Sequence, residues 1–447
     1  MDDSSAAGPS RATRSEPAWV RHAIWWRLYP LGFVGAFPEP AAGPATPDEH
    51  RLLNVIGWLD HVVELGANGV ALGPVFRSST HGYDTLDHFE LDPRLGTDED
   101  FDALVAAAHE RGLRVQLDGV FNHVGREHAL VQDALRRGLD NPAGRWLRTT
   151  TGPDGAARLH TFEGHDSLVT LAHDEPEVRD LVARIMRHWL DRGADAWRLD
   201  AAYQVPTDFW AAVLREVRAS HPDAWFEAEV IHGDYAAFVE ASTVDTVTQY
   251  ELWKAIWSSI ESQNFWELDW ALRRHDEMLA TFAPATFVGN HDVTRIASQI
   301  GDRRHLPHAV VLLAMLGGTP TVYAGDEYGL AGVKEERAGG DDAIRPTFPA
   351  AGPAALAGRD EELFRVHQVL LGLRRRHPWL HRATTVTERL SNRQYVVTLT
   401  GDGEALTVEL NLDDAPAPAA AGELLAADPE TRRGPTRVAP HGWAVRA

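Results

Sequence analysis

Eight short apolar runs, separated by stretches of helical periodicity or by loops, fill the chain between residues 22 and 378. The runs are His22–Tyr29, Asn68–Val75, Leu113–Phe121, Ala194–Ala201, Ala224–Val230, Val244–Tyr250, Ala285–Asn290 and Thr319–Tyr323. Between them, Asp98–Arg111 carries Phe101, Leu104, Val105 and Ala108 at helical spacing, with Gly112 placed as a C-cap. Val178–Arg192 has the same character and stops at Gly193, and Asp208–Ser220, His305–Leu316 and Glu361–Arg376 continue the series. Strand–helix alternation predicts parallel strands joined by right-handed crossovers, because a helix has to carry the chain back before each strand can restart in the same direction. Eight such units suggest an α/β fold of the (β/α)8 barrel type, enlarged by insertions. A doubly wound open sheet satisfies the same alternation.

Two stretches break the pattern. From about residue 125 to residue 175 the chain holds Gly, Pro and Asp turns with short β-like runs, which reads as a subdomain inserted after the third strand. Beyond Pro378 the periodicity changes to that of strands, at Gln394–Leu399, Ala405–Leu412, Arg437–Ala439 and Trp443–Arg446, with a loop around Asp413–Ala421. The expected organisation is a disordered tail over 1–18, a barrel over 19–124 and 176–380, an inserted subdomain over 125–175 and a C-terminal β-domain over 381–447.

Composition restricts the partners. A net charge of −22 without a long basic run argues against nucleic acid or an anionic membrane surface. No apolar run is long enough to span a bilayer, and residues 1–17 lack the apolar core of a signal peptide. The chain has no cysteine, which excludes disulfides and thiolate metal sites and fits a reducing compartment. A cytoplasmic protein is the expectation.

Polar residues collect where these strands end. Residues i and i+2 of a strand share a side, so Arg198 and Asp200 project together from Ala196-Trp-Arg-Leu-Asp200. A carboxylate beside a guanidinium is favoured in its charged form and is a candidate nucleophile. Glu229 closes the next strand and Asp292 follows the seventh; His81, Tyr83 and Asp84 follow the second, and Asp118, Asn122 and His123 end the third. Strand C-termini are where a barrel builds its active site. Two carboxyl groups across a cleft are what glycoside hydrolysis needs, one to attack or stabilise the oxocarbenium-like centre and one to protonate the leaving oxygen. No serine nucleophile elbow, P-loop or G-x-G-x-x-G fingerprint competes for the role.

Four of these segments, in order, resemble the signatures of the α-amylase family, glycoside hydrolase family 13: Asp118-Gly-Val-Phe-Asn-His123, Trp197-Arg-Leu-Asp-Ala201, Ala228-Glu-Val230 and Val288-Gly-Asn-His-Asp292. The resemblance covers nearly all of residues 22 to 447 and includes Gly318–Glu327 at the eighth strand. It implies a TIM barrel with a C-terminal antiparallel β-domain, and a retaining α-glycoside hydrolase. Asp200 would be the nucleophile, Glu229 the general acid/base and Asp292 the transition-state stabiliser. Arg198 would keep Asp200 ionised, His123 and His291 would bind sugar hydroxyls, and Tyr83 would stack on the ring. Asp341 and Arg345 match a pair that binds the next sugar on the non-reducing side, although Asp342 stands where the family usually has Pro. No cofactor or catalytic metal is implied.

Three departures narrow the expectation. Tyr203-Gln204 stands where starch-cleaving members carry Lys-His, which puts in doubt their leaving-side contact and a structural calcium to which Asn122 would otherwise contribute. Leu199–Trp210 is similar to the neopullulanase and cyclomaltodextrinase branch, yet the extra N-terminal β-domain of its dimers is not seen before the first strand, so a homodimer stays open. Ala228 replaces the usual Gly beside the acid. The expected substrates are malto-oligosaccharides or cyclic dextrins, cut at α-1,4 bonds. The alternatives are glycosyl transfer or isomerisation of small α-glucosides, and a non-catalytic sugar-binding module.

Overall fold

The computed structural model describes residues 16–38, 49–337 and 339–447. Eight strands form one parallel row: β1 Trp25–Leu28, β2 Gly69–Leu72, β3 Arg114–Val120, β4 Ala196–Asp200, β5 Trp225–Ala228, β6 Thr246–Val247, β7 Ala285–Phe287 and β8 Thr319–Tyr323. Their order is β6-β5-β4-β3-β2-β1-β8-β7. Thr248, just past β6, bridges Ala285 of β7 in parallel and joins the ends of the row, so the sheet closes on itself. This decides against the open doubly wound alternative. The strands are almost wholly buried, as expected when helices cover a parallel sheet outside and side chains fill it inside.

The covering helices are α1 Leu59–Leu65, α2 Asp98–Glu110, α3 Pro176–Asp191, α4 Thr207–Ser220, α5 Tyr235–Ser242, α6 Tyr250–Glu261, α7 Phe265–Leu279, α8 Leu306–Met315 and α9 Glu361–Arg376. None of the helices among the described residues is long and apolar enough to cross a membrane. The pair α6–α7 was not anticipated. The run Val244–Tyr250 is strand only at Thr246–Val247, because Gln249 caps α6, its side chain accepting from Leu252 N, and Tyr250 already belongs to the helix.

Inside the barrel, side chains stack in layers. Trp25 and Trp225 lie ring on ring at 5.8 Å and close the N-terminal end together with Ala71 and Ala196. Gly69 is required beside them: a Cβ there would sit 2.4 Å from the Trp25 ring. The next layer is charged. Arg198 pairs in register with Asp118 and with Glu227, and Arg27 reaches across to Asp118 at 2.6 Å.

Beyond β3 the chain leaves the barrel. His123–Gly125 pairs antiparallel with Leu168–Thr170, enclosing a helix at Ala129–Arg137 and a small hairpin at Thr149–Thr151 and Ala157–Leu159. After the barrel come β9 Thr384–Leu390, β10 Gln394–Gly401, β11 Glu404–Asn411, β12 Leu424–Ala427 and β13 Trp443–Arg446, antiparallel in the order β9-β10-β11-β13-β12. Two of these strands were not anticipated, β9 and β12; β9 is an edge strand with mostly exposed side chains and little apolar alternation to reveal it. The anticipated strand around Arg437 pairs instead with Ala417–Pro418, apart from the main sheet. Of the tail expected over 1–18, residues 1–15 lie outside the described residues, and Glu16 is tied to His381 at 2.7 Å.

Candidate active site

The polar layer continues to the C-terminal mouth of the barrel. Asp200 lies two residues beyond Arg198 on β4, and Glu229 two beyond Glu227 at the end of β5, so both carboxyls emerge on the inner face. Arg198 Nη2 meets Glu229 Oε1 at 2.5 Å, and Arg198 Nη1 meets Asp200 Oδ1 at 3.2 Å. Both carboxyls therefore fall within the span of one buried guanidinium. The next residue, Ala201, has φ +45°, an uncommon conformation for a side chain with a Cβ. That turn aims the Ala201 N–H at Glu229 Oε2, 3.0 Å away.

Arg198 was expected to hold Asp200 ionised. Its closer contacts are with Glu229 and with Asp118, to both oxygens of which Nη1 donates at 2.8 Å. Burial and the Glu229 carboxylate push the Asp200 carboxyl well above the usual range, against the pull of Arg198. The pull of Arg198 is outweighed, so the Asp200 carboxyl is shifted toward its protonated form when the cleft is empty.

Asp292 has the opposite environment. Its carboxyl opens into the cleft, where enclosure resists ionisation, but His291 Nε2 at 2.9 Å and Arg345 Nη2 at 2.8 Å prevail and hold it well below the usual range. Arg345 also donates from Nε to the His291 carbonyl at 2.8 Å and pairs with Asp341 at 3.0 Å. Arg345 is thus a brace for the Asp292 loop, with Asp341 behind it. Gly289 allows that loop to pass Asp326, since a Cβ there would lie 2.1 Å from its carboxylate oxygen.

The remaining expected residues gather on the same wall. The Tyr83 hydroxyl meets His291 Nε2, and the two rings are parallel with centroids 5.5 Å apart. Tyr29 also lies parallel to the His291 ring, at 6.3 Å. His123 donates from Nε2 to the Tyr83 carbonyl at 3.1 Å and lies against Phe162 of the inserted segment. Asp84 caps a turn, accepting from Thr80 N and Thr80 Oγ1, and Glu227 is held by Gln116 Nε2 deep in the barrel.

One contributor escaped the sequence reading. Tyr250, the first residue of α6, donates its hydroxyl to Glu229 Oε1 at 3.2 Å, and Asn290 Nδ2 donates to that hydroxyl at 3.1 Å. The only available signal was an aromatic residue at the end of the sixth apolar run. Tyr203, at the position of the missing Lys, donates to Glu163 Oε1 of the inserted segment at 3.0 Å. The Asn122 amide nitrogen donates to His123 Nδ1 at 3.1 Å.

The arrangement presents two carboxyls on one guanidinium, of which Asp200 is shifted toward its protonated form, opposite a third held ionised. That is the equipment for protonating a leaving group while stabilising positive charge at carbon. Comparison with known proteins agrees. The alpha amylase catalytic domain matches over residues 51–388, and a Domain of unknown function (DUF3459) over residues 387–445. The chain is 31% identical over 430 residues to a cyclomaltodextrinase of a Bacillus species, covering 89% of this chain and 74% of that one. It is 31% identical over 339 residues to a maltogenic alpha-amylase of Bacillus acidopullulyticus, covering 71% of this chain but 58% of the relative. Among solved structures, the ligand-free cyclic alpha-maltosyl-(1→6)-maltose hydrolase from Arthrobacter globiformis aligns with a TM-score of 0.78 at 27% identity, over 96% of this chain and 99% of that one. The chain belongs to the α-amylase family, glycoside hydrolase family 13, and is a glycosidase of that family.

Proposed function

We propose that the protein hydrolyses α-1,4-glucosidic bonds of malto-oligosaccharides or cyclic dextrins with retention of configuration. Asp200 attacks the anomeric carbon as Glu229 passes its proton to the leaving oxygen; the glucosyl group is then bound to Asp200. Glu229, now a carboxylate, takes a proton from water, which displaces Asp200 and restores the free enzyme. Asp292, kept charged by His291 and Arg345, holds ring hydroxyls and offsets the positive charge that develops at carbon. His123, His291 and Tyr83 bind the sugar in the cleavage subsite, and Asp341 with Arg345 borders the next one. The observation that carries this reading is the single guanidinium of Arg198 spanning Asp200 and Glu229.

The substrate class rests on the names of the relatives, a cyclomaltodextrinase and a maltogenic alpha-amylase. A cytoplasmic location, in keeping with a chain without cysteine, belongs to the same reading, as does the division into barrel, inserted segment and C-terminal β-domain. Transfer to a sugar acceptor is the second reading. Tyr203 favours it, because an aromatic ring in place of the Lys side chain offers an acceptor sugar a flat apolar face. The test is product analysis on maltotetraose, a cyclodextrin, pullulan, sucrose and trehalose, with the anomer followed by NMR. Release of α-anomeric maltose or glucose supports hydrolysis with retention, and longer or rearranged sugars support transfer. Asp200→Asn is expected to remove most of the turnover; near-normal activity in that variant would sink the assignment of the nucleophile. Light scattering on the purified chain decides whether a homodimer forms.

A further inference from the structure

Where the barrel meets the C-terminal domain, three side chains with metal-ligating atoms converge. Asp302 and His305 come from the turn that leads into α8, and His441 from the turn that leads into β13. One ligand atom from each lies within 4.8 Å of the others. His305 is buried, and its Nε2 faces His441 Nδ1 at 3.0 Å. We propose that Asp302, His305 and His441 bind one divalent transition-metal ion of the zinc class, which staples the C-terminal domain to the barrel.

Four observations support the site. First, Asp414 Oδ1 lies 3.0 Å from His441 Nε2, which places the ring proton on Nε2 and leaves Nδ1 as the lone-pair atom. A carboxylate behind a ligating imidazole is the usual outer partner of such sites. Second, His441 is held at φ +54°, a strained conformation for a side chain with a Cβ, at the position where its ring meets His305. Third, that turn is anchored independently: His308 Nε2 donates to the carbonyls of Asn411 and Gly442, at 3.2 and 3.1 Å. Fourth, a cleft of about 620 Å³ between α8, α9 and the C-terminal domain reaches His441 and gives ions a route from solvent.

The chemistry selects the metal. Two imidazoles and one carboxylate suit zinc, cobalt or nickel rather than calcium or magnesium, which take oxygen ligands. Tetrahedral zinc with ligands near 2.1 Å needs ligand atoms about 3.4 Å apart. The two imidazole nitrogens stand 3.0 Å apart and the Asp302 carboxylate lies within 4.8 Å of both, so a small shift closes the set, with water as the fourth ligand. Without metal, one ring N–H joins His305 to His441. On binding, the His305 ring proton shifts to Nδ1 and both facing nitrogens coordinate, so no net proton is lost there. Arg304, which pairs with Asp302 at 2.6 Å from the solvent side, has to release one carboxylate oxygen. Facing charges are Asp302, Asp414 and Glu261 against Arg304, a net negative setting for a cation.

The full chain, free of any histidine tag and stripped with a chelator, would be titrated with Zn²⁺ by calorimetry and with Co²⁺ by visible absorption. Thermal unfolding would be followed with and without Zn²⁺. The expected result is one Zn²⁺ per chain, intense tetrahedral Co²⁺ bands and a raised Tm. His441→Ala and Asp302→Ala should each abolish the bands and the Tm shift while leaving maltotetraose turnover unchanged, and Asp414→Asn should weaken binding about ten- to a hundredfold. Absence of Zn²⁺ uptake by the wild-type chain overturns the proposal. So does uptake with the same affinity and Tm shift in both alanine variants.

Discussion

Arg198 serves three carboxyls at once, and much of the site's chemistry follows from how unevenly it does so. Asp118 takes two of its close contacts and is also held by Arg27. Asp200 receives the longest. Asp200, pushed up by burial and by Glu229, brings a proton into the cleft, and in the proposed mechanism Glu229 is the acid that delivers one. Tyr250 touches that acid directly. Tyr250→Phe removes one hydrogen bond to a catalytic carboxyl, about 1.5 kcal/mol, and is expected to lower kcat/KM roughly tenfold. Unchanged steady-state kinetics would mean that the hydroxyl is not used. Arg345→Lys keeps the charge but cannot span Asp292, the His291 carbonyl and Asp341 together. We expect kcat/KM to fall roughly 10- to 100-fold, with kcat the more affected, because Asp292 acts on charge that develops in the transition state. A change confined to KM would assign Arg345 to substrate binding instead.

At the scale of elements, the i, i+2 rule carries the design. Trp225, Glu227 and Glu229 climb one face of β5, and Ala196, Arg198 and Asp200 climb one face of β4, from apolar floor to charged layer to reacting groups. This was legible in the sequence because a strand displays its periodicity locally. The boundaries of Thr319–Tyr323 and Glu361–Arg376 were legible for the same reason, each element carrying its own stop signals. The short β6 was not, because its end is decided by Gln249 capping α6, a local contest that an apolar run conceals. Caps also set stability. Asp360 accepts from the N–H groups of Glu362 and Leu363 at the start of α9, so Asp360→Ala should cost about 1 kcal/mol, read as a lower urea midpoint with unchanged slope. An unaltered midpoint would show that the cap is replaced by water without loss.

On the scale of the whole molecule, burial has trapped several histidines in the neutral form. Burial pushes His88, His123 and His275 down to about 4 and His308 to about 3. In the unfolded chain these rings titrate near 6.5. Between pH 6.5 and about 4 the unfolded state therefore binds more protons than the native state, and stability falls as the pH falls through that window. Asp326, pushed up to about 7 by burial against the pull of Arg295, acts in the opposite direction together with Asp200, Glu227 and Asp276, but the histidines pushed down by burial, which also include His128, His173, His291 and His367, are more numerous. Thermal unfolding followed by circular dichroism is expected to give a Tm several degrees lower at pH 5 than at pH 7. Equal values would show that these rings find new partners when protonated.

The sequence by itself determined the strand–helix alternation and the polar strand ends, since each is written in residues close along the chain. The tertiary structure decided the rest. Closure of the barrel depends on Thr248 meeting Ala285 from different strands. The upward shift of Asp200, the contact of Tyr250 with Glu229 and the convergence of Asp302, His305 and His441 depend on groups that are distant in sequence and only become neighbours on folding. Charge, hydrogen bonding and burial act through space over a few ångströms, so no local pattern can encode them.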